Sequence, residues 1–197
     1  MTLKTAGVVL AGGRSTRMGG DKTLAPLVGQ PLVAHVAARL APQVDALFLN
    51  VNGDAARFAF LDYAVVADAA SNAGGGPLAG IAATLRHART QGFAWLATAP
   101  CDAPFLPLDL VARLAAAADE SSAPISVAET ASGLEPMFAL WSTNLAAEVE
   151  AALAAGDGGP RQLMARFGAA QALFADADAF ANLNTPEEFA AAAARLS

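Results

Sequence analysis

The sequence predicts an α/β fold: a mostly parallel sheet with helices on both faces and an antiparallel strand at its edge. Three observations predict it. Short runs that are apolar on both faces alternate with helical stretches through the first half, the pattern of strands covered by helices and joined by right-handed crossovers. Hydrophobic residues make up 55% of the chain, and much of that is alanine, which suits helix surfaces and close helix–sheet packing. Four of the predicted strands end in glycine or polar residues, on the side where open α/β sheets take their ligands. The chain has 197 residues, enough for a sizeable core. No repeat or linker divides it, so a single domain over 1–197 is expected.

The elements follow in order. Ala-Gly-Val-Val-Leu-Ala at 6–11 reads as a central strand, and a glycine-rich stretch, 12–20, follows it. A helix over 31–40 has Pro31 at its first position and stops at Pro42. Strands at 46–51 and 63–67 lead to Asn50, Asn52 and Asp68. A loop of small residues, 71–76, which includes Ser71 and Asn72, precedes a helix over 77–89. The strand at 93–99 delivers Pro100-Cys101-Asp102. A helix at 107–118 comes next, then strands at 124–128 and 135–141, close enough together to supply the antiparallel edge. Helices at 144–155 and 160–167 and a short strand at 172–174 follow. The last helix starts at Pro186, with Thr185 as N-cap and Glu187 and Glu188 favourable in its first turn. Its alanine-rich tail, 190–195, is expected to pack on the sheet.

Composition excludes several classes. Only 15% of residues are charged, yet no run approaches the about 20 apolar residues of a spanning helix. The N-terminus enters a strand without a cleavage-site pattern. No membrane association is expected, and a cytoplasmic location is. One cysteine and two histidines rule out an internal disulfide and a cysteine- or histidine-rich zinc centre. A net charge of −6 argues against a nucleic-acid partner, which needs a basic face. Arg14, Arg17 and Lys22 therefore stand out as a local cationic group.

Those cations lie in Leu10-Ala-Gly-Gly-Arg-Ser-Thr-Arg-Met-Gly-Gly-Asp-Lys22. Glycines directly after a strand, here Gly12 and Gly13, let backbone N–H groups face phosphate oxygens. Arg17 and Lys22 add positive charge, as a fork and as a mobile point charge. The motif is neither a dinucleotide fingerprint nor a Walker A loop; the bland alternative is an ordinary loop. Asp102, at a strand end between Pro100 and Pro104, is a rigid hard-oxygen ligand suited to Mg²⁺ with substrate phosphates. Its alternative is to cap the helix near Pro107. Asp21 is a weaker second metal candidate, and Asp68 either binds sugar hydroxyls or only ends its strand. Cys101 lacks a base beside it, and His35 reads as a packing or surface residue.

The opening motif resembles the N-terminal signature of sugar-nucleotide-type nucleotidyltransferases, and specifically of the molybdenum cofactor guanylyltransferase family. The resemblance continues through Leu49-Asn50, Val66-Ala67-Asp68, Gly75-Gly-Pro-Leu-Ala-Gly80-Ile81, Pro100-Cys-Asp-Ala-Pro-Phe105 and Asn182-Leu-Asn-Thr-Pro-Glu-Glu188. It spans essentially the whole chain in collinear order. It implies a Rossmann-like sheet of the nucleotide-diphospho-sugar-transferase type and a Mg²⁺-dependent reaction. In that reaction GTP and molybdopterin-bound molybdenum give the guanine dinucleotide cofactor and pyrophosphate. By this resemblance, Leu10, Ala11, Gly12 and Gly13 contact the nucleotide, and Lys22 contacts its phosphates. Asn50 and Asp68 fix the guanosine, while Asp102 binds nucleotide and Mg²⁺. Gly80, Arg161, Asn182 and Asn184 lie toward the acceptor. Arg17, Lys22 and Asp102 are the catalytic candidates. The resemblance also allows contacts with other molybdenum-cofactor assembly proteins or client apoenzymes. The alternatives are a cytidylyltransferase on the same or a related phosphorylated acceptor, and a non-catalytic cofactor carrier or chaperone. The Ala-Gly-Gly form at 11–13 favours guanine over cytosine.

Overall fold

Strand β1 (Thr5–Leu10) is buried from Ala6 onward, because its residues are apolar on both faces and it lies in the middle of the sheet. The computed structural model describes residues 4–12, 22–70, 75–156 and 158–196, and β1 organises them. Strand β4 (Ala46–Asn50) pairs with it on one side and β6 (Trp95–Pro100) on the other, both parallel. Strand β5 (Ala64–Val66) extends the first side, also parallel. Beyond β6 come β8 (Gly133–Ser142), β7 (Ile125–Thr130) and β9 (Ala170–Leu173), giving the order β5-β4-β1-β6-β8-β7-β9.

Among the described residues the one antiparallel strand of this sheet is β8, which runs against both β6 and β7. It is not at the edge as expected; it sits inside the sheet, and β9 closes that flank parallel to β7. Two physical facts decide this. The β7–β8 connection is a tight turn that enforces antiparallel pairing. Residues 139–142 pair on their other side with residues 95–98 of β6, which fixes β8 between β6 and β7.

Helices α1 (Leu32–Leu40) and α3 (Leu110–Ser121) cover one face, burying Val33, Val36, Leu40, Leu110 and Leu114. Helices α2 (Gly76–Thr90), α4 (Ala146–Ala155) and α5 (Pro160–Phe167) cover the other with Leu78, Ile81, Leu85, Val149 and Leu163. Two-sided cover is why the central strands carry no alternating polar residues.

Helix α6 (Pro186–Leu196) departs from expectation: it packs on a small hairpin rather than on the sheet. The hairpin is β2 (Pro26–Leu27) and β3 (Gln30–Pro31), turned by Val28 and Gly29, both at positive φ (46° and 79°). Strands of two residues show no periodicity, so the sequence did not reveal them. Leu27, Leu32, Phe105, Leu183 and Ala192 form a separate small core there. Thr185 caps α6 as expected, in a reciprocal capping box: its Oγ1 accepts from Glu188 N (3.2 Å) and Glu188 Oε2 accepts from Thr185 N (2.9 Å). Among the described residues no helix is long and apolar enough to cross a membrane.

Candidate active site

The sheet register builds the site. Leu10 is level with Asn50 on one side and Pro100 on the other, and Asn50 is level with Val66. Four strands therefore end in one row, and two residues past each end stand Gly12, Asn52, Asp68 and Asp102. The ladder stays closed to the rim, since Ala11 N donates to Asn50 O (2.9 Å) and Cys101 N to Leu10 O (3.1 Å). Strand order reverses at β1, with β4 and β5 on one side and β6 on the other. The carboxyl ends of β1 and β6 thus flank a topological switch point, where such sheets open a crevice for ligand.

Two polar groups occupy this rim. In the first, Asn50, almost wholly buried, uses both amide hydrogens, donating to Val66 O (3.0 Å) and Asp68 Oδ1 (2.8 Å). Asn52 Nδ2 donates to the other carboxylate oxygen, Oδ2 (2.7 Å), and Asn52 Oδ1 accepts from Asp68 N (3.1 Å). Asp68 is therefore fixed by two amides rather than merely ending a strand. Gly12 lies against this group: a Cβ there would stand 2.7 Å from Asn52 Nδ2 and 3.2 Å from Asn50 Oδ1. Gly80, on α2, is buried against Asn50 so closely that a Cβ would collide with its Oδ1. Its missing side chain thus has a packing reason on the Asn50 side.

Asn52 was not among the expected site residues. The signal was present, because alternate residues of an extended segment share a face and Asn50 already pointed to that side. Asn52→Ala removes two bonds to the partly solvated Asp68, one of them charge-assisted, so KM for the nucleotide that the sequence resemblance implies is expected to rise roughly fivefold with kcat little changed. Steady-state kinetics with nucleotide varied checks this.

The second group lies across the crevice. Lys22 opens a short 3-10 helix, Lys22–Leu24, and is buried despite its charge. Its Nζ donates to Asp102 Oδ2 (2.7 Å) and to Asn184 Oδ1 (2.7 Å). A buried ammonium needs such compensation. Asp102 caps no helix: α3 begins at Leu110, with Asp109 at its N-cap position, and the Asp102 side chain is about one-fifth exposed beside Lys22. Leu183 N donates to Asp102 O (2.9 Å), which draws the 182–185 segment to the same place. Asn182 is exposed, and its carbonyl accepts from Asn184 Nδ2 (3.3 Å). Arg161, in the first turn of α5, donates from Nη2 to Leu134 O (2.9 Å). Leu134, at the start of β8, pairs with Glu129 near the carboxyl end of β7, so it lies toward the same end of the sheet as the ends of the parallel strands.

Gly13, Arg14, Arg17 and Asp21, with Ser71 and Asn72, lie outside the described residues. Cys101 Sγ is 3.5 Å from Thr23 Oγ1. His35 Nε2 donates to Leu27 O (2.7 Å) and so holds the small hairpin. Among the described residues no three His, Cys, Asp or Glu side chains gather as a metal cage. Mg²⁺ commonly takes one or two carboxylates and completes its shell with substrate phosphates and water. A single partly exposed carboxylate such as Asp102 fits that kind of site, with substrate supplying the other oxygens.

Fold and site together define an open α/β domain with its polar groups gathered at the switch point, a cation and a carboxylate on one side and a fixed carboxylate on the other. Residues 7–173 match the family model described as the MobA-like NTP transferase domain, and the chain belongs to that family. It is 45% identical to the molybdenum cofactor guanylyltransferase of Cereibacter sphaeroides over 195 residues, 98% of each chain. It is 46% identical over 200 residues to the protein of the same name from Burkholderia orbicola (strain MC0-3), covering 96% of each. The fold superposes on molybdopterin-guanine dinucleotide biosynthesis protein A from Archaeoglobus fulgidus with a TM-score of 0.75 at 23% identity, over 98% of both chains.

Proposed function

We propose that this protein transfers GMP from GTP to the terminal phosphate of molybdenum-bound molybdopterin, releasing pyrophosphate and forming the guanine dinucleotide cofactor. The observation that carries this reading is the placement of Lys22 and Asp102 at the switch point, in a chain 45% identical over nearly its full length to a molybdenum cofactor guanylyltransferase. The nucleotide lies across the row of strand ends, its nucleoside toward Asn50, Asn52 and Asp68 and its phosphates toward Lys22. The span from Asp68 to Asp102 is three strand spacings, about 14 Å, which suits a nucleotide laid end to end.

An oxygen of the acceptor phosphate attacks the α-phosphorus of GTP; the bond to the bridging oxygen breaks, and its electron pair leaves with pyrophosphate. The acceptor is already anionic near neutral pH, so no strong general base is needed. Catalysis then comes from positioning and charge neutralisation. Lys22, already desolvated, neutralises charge that accumulates on pyrophosphate, and Arg17 from the glycine-rich segment adds to it. Asp102 is the residue that would hold Mg²⁺, and the ion would supply Lewis-acid polarisation of the phosphates. Asn182, Asn184 and Arg161 stand on the acceptor side. The reaction belongs in the cytoplasm, and other cofactor-assembly proteins or client apoenzymes receive the product.

The test is pyrophosphate release with molybdenum-loaded molybdopterin and either GTP or CTP, with the product identified by mass. Release with GTP and a mass gain of one GMP is expected. Release with CTP alone replaces guanine by cytosine, and binding of the dinucleotide without turnover replaces the enzyme by a carrier.

A further inference from the structure

We infer that Asn184 is a positioning residue for the nucleotide half of the site, acting through Lys22, and that it couples the 182–185 segment to triphosphate binding before any acceptor arrives. This rests on the guanylyl-transfer reading above and reassigns Asn184 from an acceptor contact alone.

The chemistry starts from the lysine. An ammonium has three donors and no acceptor, so the atom of Asn184 that faces it is the amide oxygen. Lys22 Nζ is thereby shared between an anionic oxygen on Asp102 and a neutral oxygen on Asn184, each at 2.7 Å. With Asp102 alone, a flexible four-carbon stem could place its charge anywhere on an arc around the carboxylate. The second oxygen selects one point on that arc. That matters for a cation that must meet phosphates, since lysine gives no geometric preference of its own.

Asn184 can perform this because its own backbone is held. Its N–H and that of Thr185 both donate to Glu188 Oε2, in the capping box of α6. Next to it, Leu183 N is bonded to Asp102 O (2.9 Å), and the Leu183 side chain is buried with Leu27, Leu32, Phe105 and Ala192. The segment therefore meets both members of the Lys22–Asp102 pair, one through backbone and one through side chain. An ordered carrier adds a fixed acceptor at little further entropic cost, the condition for preorganising a charged group. Asn184 itself is surface-exposed, so its truncation leaves the core intact.

The experiment is a double-mutant cycle on GTP binding without acceptor, by titration calorimetry with the full chain in Mg²⁺ and melting temperatures as a folding control. Asn184→Ala is expected to weaken GTP binding roughly five- to tenfold in the wild-type background. In a Lys22→Met background, which keeps the aliphatic stem but has no ammonium to position, it is expected to have no further effect. An equal loss in both backgrounds, or no loss in either, overturns the proposal while leaving guanylyl transfer standing. If the unmodified protein binds no nucleoside triphosphate, the functional reading falls and the proposal falls with it.

Discussion

Asp102→Ala is expected to lower turnover by at least roughly a thousandfold while GTP binding is only weakened. Losing the carboxylate removes the proposed Mg²⁺ ligand, a Lewis-acid contribution of several kcal/mol, and each 1.36 kcal/mol is about tenfold in rate. Binding survives because Lys22 stays: relieved of its anionic partner at 2.7 Å, the ammonium is drawn to the triphosphate instead. Asp102→Asn separates charge from shape, since its amide oxygen can still accept from Lys22. It should bind GTP and turn over as poorly as the alanine variant. Single-turnover formation of the dinucleotide product, with GTP affinity measured alongside, reads both quantities. Full activity of Asp102→Ala in saturating Mg²⁺ would remove the residue from the mechanism.

The second large effect is at Lys22. Lys22→Ala is expected to cost about 2–4 kcal/mol of transition-state stabilisation, by comparison with the loss of one electrostatic donor at other phosphoryl- and acyl-transfer sites. That is roughly thirtyfold to nearly a thousandfold in kcat/KM. Burial is what makes the figure large: Lys22 is almost inaccessible, and a desolvated charge acts at full strength where a solvated surface lysine is screened. Kinetics of Lys22→Ala close to wild type would remove Lys22 from the mechanism, both as a phosphate contact and as the group that holds Asp102. In that case Lys22→Met should also turn over normally.

Both predictions concern residues that the sequence singled out before the fold was known. Glycines after a β-branched strand, cations in an otherwise acidic chain and an aspartate between prolines at a strand end each have a local physical meaning. Most elements were readable for the same reason. Strands covered on both faces and alanine-rich helices announce themselves by uniform burial and by periodicity. The failures share a cause as well. The β2–β3 hairpin is too short to have a period, and the seat of α6 depends on Leu27, Phe105 and Leu183 meeting across distant parts of the chain. The place of β8 inside the sheet follows from which strand β6 accepts as neighbour, and no local pattern encodes that.

By itself, then, the amino-acid order determined the α/β class, the run of glycines after the first strand, Lys22 as a cation in an acidic chain, and Asn50, Asp68 and Asp102 as polar groups at or just past strand ends. Those are consequences of short-range sterics, hydrophobic periodicity and charge. Only the tertiary structure decided that Lys22 sits between Asp102 and Asn184, that Asn52 completes the hold on Asp68, and that Gly80 makes room for Asn50. Each of these is a contact between segments far apart in sequence. Strand register and helix packing set such distances, and they exist only once the whole sheet has closed.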